Sequence, residues 1–193
     1  MTDTFKMTKD LHTLPANLPV PVDDGACDHL LGSTLSSISL TSTTGKAVDL
    51  STYKGTLVIY FYPMLGRPDG PPMVGWNDIP GARGCTPQTC AFRDFHAELK
   101  QLGVEVFGVS AQRLEDQQEA HARLHLPFAF LNDEQLTLAQ ALKLPTFEYA
   151  GTRLIKRLTI ITTGGLVQKV FYPVFPPTDN AREVIAWLTE YHS

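Results

Sequence analysis

Two cysteines stand five apart in the stretch Gly84-Cys85-Thr86-Pro87-Gln88-Thr89-Cys90-Ala91-Phe92-Arg93-Asp94, where a run with strand character gives way to one with helical spacing. Pro87 suits the first turn of a helix, because its missing N–H would have had no partner there. Cys85 is therefore expected at the positive end of a helix. A thiol of ordinary acidity is only ~3% thiolate at pH 7, and the thiolate is the nucleophile; unpaired N–H groups and the helix dipole favour it. Cys85 is the candidate nucleophile of a redox site.

The spacing restricts the second sulfur. Five residues at ~100° each leave two side chains about 140° apart around a helix, so Cys85 and Cys90 cannot form a disulfide while that turn stays wound. If they pair, the first turn must unwind. This argues against a rigid Cys-x-x-Cys dithiol and for a cycle in which one sulfur reacts in the folded state and the other after local unfolding.

The stretch resembles the site of the peroxiredoxins, specifically the bacterioferritin-comigratory or Q-type branch, which runs G-C-T-x-x-x-C-x-F-R-D after a Y-F-Y-P strand. Here the strand is Leu57-Val58-Ile59-Tyr60-Phe61-Tyr62-Pro63, and the similarity extends over residues 35–188. The resemblance implies that Cys85 attacks a peroxide and becomes a sulfenic acid, that Cys90 condenses with it, and that a thioredoxin-type dithiol reduces the disulfide. It implies no metal, haem or flavin cofactor. Downstream, Lys156-Arg157-Leu158-Thr159-Ile160-Ile161 resembles the family's R-x-T-x-x-I strand, which makes Arg157 the third site residue. A fixed guanidinium stabilises negative charge on sulfur and on the departing oxygen, and it does not titrate.

Two departures stand out. The family pattern P-x-x-x-T/S-x-x-C has a hydroxyl three residues before the cysteine, and Ala82 occupies that position. Pro63 is separated from the site by an insertion, residues 64–80, rich in proline and glycine. A loop of that length usually carries function. It is expected to fold over the site and supply a substitute donor, Trp76 or Asn77.

Around the site, residues 37–41 and 47–50 read as a hairpin through Thr44-Gly45. Residues 57–62 form a nearly continuous apolar run, as in a buried central strand. Phe92, Phe95, Leu99 and Leu102 repeat at helical spacing until Gly103. Residues 104–110 read as a strand, 114–125 as a helix closed by Pro127, 128–131 as a short strand, and 134–142 as a helix capped by Asn132 and Asp133. Residues 154–162 and 166–172 flank Gly164-Gly165 as a second hairpin, and Asp179 opens a last helix. The order fits an α/β, thioredoxin-like fold: a central mixed sheet flanked by helices, with an added N-terminal hairpin. Residues 1–34 are expected as an arm of weak structure and residues 35–193 as the domain.

The 193 residues carry a formal net charge of −4 and no Lys/Arg cluster, which speaks against nucleic acid or an anionic membrane as partner. No apolar run is long enough to span a bilayer. The first residues lack the apolar core of a secretory signal, and three cysteines are too few for a disulfide scaffold, so a reducing, cytoplasmic setting is expected. The assembly is expected to be a monomer or homodimer. Cys27 has no site-like surroundings and reads as an incidental thiol. His121 and His125, four apart on the expected helix, lack a third ligand and read as a solvated face. Arg93 reads as structural. From a different class, the same fold with Ala82 and a long loop suits a redox sensor or redox-controlled binding module.

Overall fold

The computed structural model describes residues 10–191. Nine strands and five α-helices follow in order: β1 (Ser39–Ser42), β2 (Ala47–Asp49), β3 (Thr56–Phe61), α1 (Cys85–Asp94), α2 (His96–Gln101), β4 (Val104–Ser110), α3 (Leu114–Arg123), β5 (Phe130–Asn132), α4 (Thr137–Ala141), β6 (Thr146–Tyr149), β7 (Thr152–Ile155), β8 (Leu158–Thr163), β9 (Leu166–Phe171) and α5 (Asn180–Tyr191). Seven strands form one sheet in the order β2-β1-β5-β4-β3-β8-β9, and β6 and β7 form a separate hairpin. The centre β5-β4-β3 is parallel and the flanking pairs are antiparallel.

Alternation along the central strand builds two cores. Leu57, Ile59 and Phe61 point to the face covered by α4 and by the turn around Cys27 and Leu30. Val58, Tyr60 and Tyr62 point to the face covered by α1, α2, α3 and α5, through Phe92, Leu99, Ala120, Val184 and Leu188. With side chains buried on both faces, β3 must read as an unbroken apolar run. Gly108 on β4 makes room beneath the aromatic layer, since a Cβ there would lie 2.7 Å from Phe130 and 2.9 Å from Tyr60.

Several sequence expectations are corrected. The strand expected over 154–162 is interrupted: the Lys156 amide bonds to the Pro145 carbonyl at 2.9 Å, and Arg157 turns inward between β7 and β8. The β6–β7 hairpin was not foreseen. Its turn, Ala150-Gly151, has φ of 48° and 78°, the pair of positive values a type I′ turn requires, and alanine seldom takes the first of them. The helix expected to run to Gly103 breaks at Phe95 (φ −92°, ψ 4°) into α1 and α2. The helix expected over 134–142 begins only at Thr137, although Asp133 does cap it, accepting from the Leu138 and Ala139 amides at 3.1 and 2.8 Å. Helix α3 ends at Arg123, and His125 lies beyond it at φ 51°, so His121 and His125 do not share a helix face.

Part of the N-terminal arm, residues 1–9, lies outside the described residues. Residues 10–34 hold turns and one bridge, Thr34 to Leu166. They are nevertheless packed: Leu11, Cys27 and Leu30 are buried, and the Gly32 and Leu35 amides bond to the carbonyls of Val167 and Gly165 at the sheet edge.

Candidate active site

Cys85 is the first residue of α1. The turn before it runs through Gly84 at φ 115°, a conformation for which only glycine is at ease. A Cβ at that position would sit 2.3 Å from Cγ of Pro177, so glycine also lets the helix start press against the segment leading into α5. The second turn is held to the sheet, where Phe92 stacks on Tyr60 with centroids 4.6 Å apart and the Tyr60 hydroxyl meets the Thr89 hydroxyl at 3.1 Å.

Arg157 is 3% exposed and directs four of its five N–H donors to this point. Nη2 lies 3.2 Å from Cys85 Sγ and 2.9 Å from the Ala82 carbonyl, Nε bonds to the Gly81 carbonyl at 3.2 Å, and Nη1 bonds to Gln88 Oε1. Gln88 in turn donates to Asn180 Oδ1 at 3.0 Å, which also accepts from the Thr159 hydroxyl at 2.7 Å. Such a fork cannot rotate away from the sulfur without stranding buried partners. The guanidinium and the N-terminal end of α1, the positive end of its dipole, both face the sulfur.

Ala82, at the position of the family's hydroxyl, offers the site its backbone carbonyl. The Ala82 carbonyl faces the site and accepts from Arg157 and, at 3.7 Å, from the Cys85 thiol. Its methyl packs in a small cluster with Trp76 and Leu154. The insertion does fold over the cysteine: Met64, Met73 and Trp76 line a cavity of about 10 Å³ with Cys85 in its wall. It supplies no substitute donor. Asn77 is exposed, Trp76 packs against Tyr149 and Phe147, and among the described residues neither hydrogen-bonds Cys85.

The three cysteines are free thiols. Cys90 lies half-buried further along α1, with its Sγ 4.0 Å from His12 Nδ1, and burial pushes its thiol up from the ordinary range. Cys27 is buried, and burial followed by the carboxylates of Asp24, Asp23 and Asp28 pushes it up to about 12. Arg93 holds Asp94 and the Leu124 carbonyl. Structure therefore brings Cys85 and Arg157 together and keeps Cys90 apart. Gln88 and Asn180 were missed; Gln88, three residues after Cys85, shares its helix face, whereas nothing marks Asn180.

The Redoxin family model matches residues 30–185. Peroxiredoxin Q of Sedum lineare, a chloroplastic protein, is 31% identical over 158 residues, covering 81% of this chain and 76% of that one. The chain belongs to the Q-type peroxiredoxins. Peroxiredoxin Q of Oryza sativa subsp. japonica, also chloroplastic, is 30% identical over 155 residues, and the match spans 80% of this chain but 64% of that relative's length. Among solved structures, the bacterioferritin comigratory protein of Xanthomonas campestris, a protein with alkyl peroxide reduction activity, superposes with a TM-score of 0.64 at 20% identity over 92% of this chain and all of that one. This peroxiredoxin thus keeps the thioredoxin-like fold.

Proposed function

We propose that this protein is a thiol peroxidase in which Cys85 is the peroxidatic and Cys90 the resolving cysteine, acting on hydrogen peroxide or a small organic hydroperoxide. The observation that carries the reading is the Arg157 guanidinium 3.2 Å from Cys85 Sγ at the start of α1. The Cys85 thiolate attacks one peroxide oxygen, the O–O bond breaks, and the leaving oxygen departs with its electron pair and takes up a proton. Cys85 is left as a sulfenic acid. Arg157 faces the charge as it moves from sulfur to the leaving oxygen, which is where preorganised donors act most strongly.

Cys90 then attacks the Cys85 sulfur, expelling the hydroxyl as water and forming the disulfide. Its thiol is kept protonated by burial in the folded helix, so the turn that must unwind also releases the second nucleophile. Two electrons and two protons from a thioredoxin-type dithiol restore both thiols. The cycle requires a reducing compartment such as the cytoplasm. Among the described residues no helix is long and apolar enough to cross a membrane.

Stopped-flow oxidation of the reduced protein by hydrogen peroxide tests the proposal. A second-order rate well above that of a free thiol is expected, and a rate no better than a free thiol's overturns it.

A further inference from the structure

The space above Cys85 is closed from two directions. Met64, Met73 and Trp76 of the insertion supply one wall, and Leu11 of the N-terminal arm supplies another. Leu11 is 5% exposed and seats on bare backbone: a Cβ at Gly66 would lie 2.9 Å from its Cδ2. The arm is tied there by Arg83, whose Nη2 donates to the Asp10 carbonyl and, at 3.0 Å, to the Thr13 carbonyl. Leu14 closes on Gly84, its Cδ2 3.1 Å from where a Cβ would stand. Arg83 thus spans the gap between the turn entering α1 and the arm lying across it.

What remains is about 10 Å³, close to the space one water needs. The larger recesses do not extend it. A cavity of about 240 Å³ is lined by Arg157 but not by Cys85, and a cleft of about 590 Å³ shares only Met64 with the cysteine cavity. A bulky alkyl or aryl group on a peroxide therefore has no place within this cavity while its oxygen touches the sulfur.

We infer that residues 10–14 act as a strap over the peroxidatic cysteine and that Leu11 sets the size limit of the site, admitting hydrogen peroxide and excluding bulky organic hydroperoxides. The substrate class rests on the peroxidase reading; the size limit follows from the strap. Leu11 acts by occupying space and Arg83 by tethering the strap, so neither is a catalytic residue.

The test compares stopped-flow oxidation by hydrogen peroxide and by cumene hydroperoxide in the native chain, Leu11→Ala and Arg83→Gln. The native chain is expected to favour hydrogen peroxide by at least 100-fold. Each variant is expected to speed the cumene hydroperoxide reaction at least tenfold while changing the hydrogen peroxide rate less than threefold, which a merely structural loss would not do. Equal rates with both peroxides in the native chain, or an unchanged ratio in both variants, overturns the inference. Alkylation of Cys85 by iodoacetamide against a fluorescein maleimide, read by mass spectrometry, follows the same opening without peroxide chemistry. A protein slow with both peroxides but size-selective toward the alkylating agents defeats the peroxidase reading and leaves the strap standing; equal alkylation by both removes the strap.

Discussion

Cys85 and Cys27 are buried to the same degree, 4% and 3% exposed, and their surroundings are opposite in sign. Cys85 faces the Arg157 guanidinium and the amide end of α1. Cys27 sits among Asp23, Asp24 and Asp28, and its thiol is held at about 12. Burial penalises a thiolate, and at Cys27 the carboxylates add to that penalty, whereas the charge that meets Cys85 is positive. At Cys85 four of the five Arg157 N–H groups are committed, whereas at Cys27 the surroundings are packing and carboxylates.

Replacing the sulfurs gives the largest contrast. Cys85→Ser is expected to abolish peroxide consumption, whereas Cys27→Ser leaves it intact. Cys90→Ser keeps the first oxidation and stops recycling, so mass spectrometry after one equivalent of peroxide finds a sulfenic acid or its adduct on Cys85. Oxidation located at Cys27 would reverse the comparison.

Removing the charge that distinguishes the two sites comes next. Arg157→Met is expected to slow the peroxide reaction roughly 100-fold or more, since losing one preorganised donor at a developing charge costs ~2.7–4 kcal/mol. Arg157→Lys recovers only part, because an ammonium cannot hold the sulfur, two carbonyls and Gln88 at once. A loss below about tenfold in Arg157→Met would mean that the helix start carries the effect by itself.

The walls of the two sites should also differ in motion. Oxidation to a Cys85–Cys90 disulfide requires the first turn of α1 to open, so amide exchange over residues 84–92 is expected to rise about tenfold or more in the oxidised protein while residues 27–35 stay as they were. Equal protection in both redox states, with the disulfide verified, would contradict the unwinding.

The smallest effect is a pH dependence of stability. The folded Cys27 thiol titrates near 12 and an unfolded one near ~8.5. Its contribution is therefore complete below about pH 8.5 and is lost progressively up to about 12, because only the unfolded chain ionises in that window. Between pH 8 and 9.5, below the tyrosine range, denaturant titration should show Cys27→Ala losing about 1 kcal/mol less stability than the native chain. The same slope in both proteins would show that burial and the carboxylates around Cys27 do not hold its thiol up.

Much of this was legible in the residues. Cys85, the proline two positions on and the apolar run of β3 each follow from local chemistry, and Arg157 from its motif. Legibility failed where a residue acts across the fold. Ala150-Gly151 concealed a hairpin because alanine is an unfavourable choice for positive φ. Asn180 is an ordinary helix-start residue until Gln88 and Thr159 converge on it. Leu11 lies in a stretch with no periodicity, and its importance comes from the bare backbone of Gly66, more than fifty positions away.

The bond from Arg157 to Gln88 bears on the electrochemistry of a Cys85–Cys90 disulfide. Gln88 belongs to the turn that must unwind for a Cys85–Cys90 disulfide, so oxidation would separate it from both Arg157 and Asn180. Asn180 Oδ1 keeps the Thr159 hydroxyl, but leaving the Arg157 N–H unpaired costs roughly 1–3 kcal/mol, which for a two-electron couple raises the reduction potential by roughly 20–60 mV. By that margin the folded dithiol would be stabilised over a Cys85–Cys90 disulfide, which would then be a ready electron acceptor. Equilibration of native and Gln88→Ala proteins in graded glutathione buffers measures it: the variant should be harder to reduce, and coincident potentials would show that the amide plays no part.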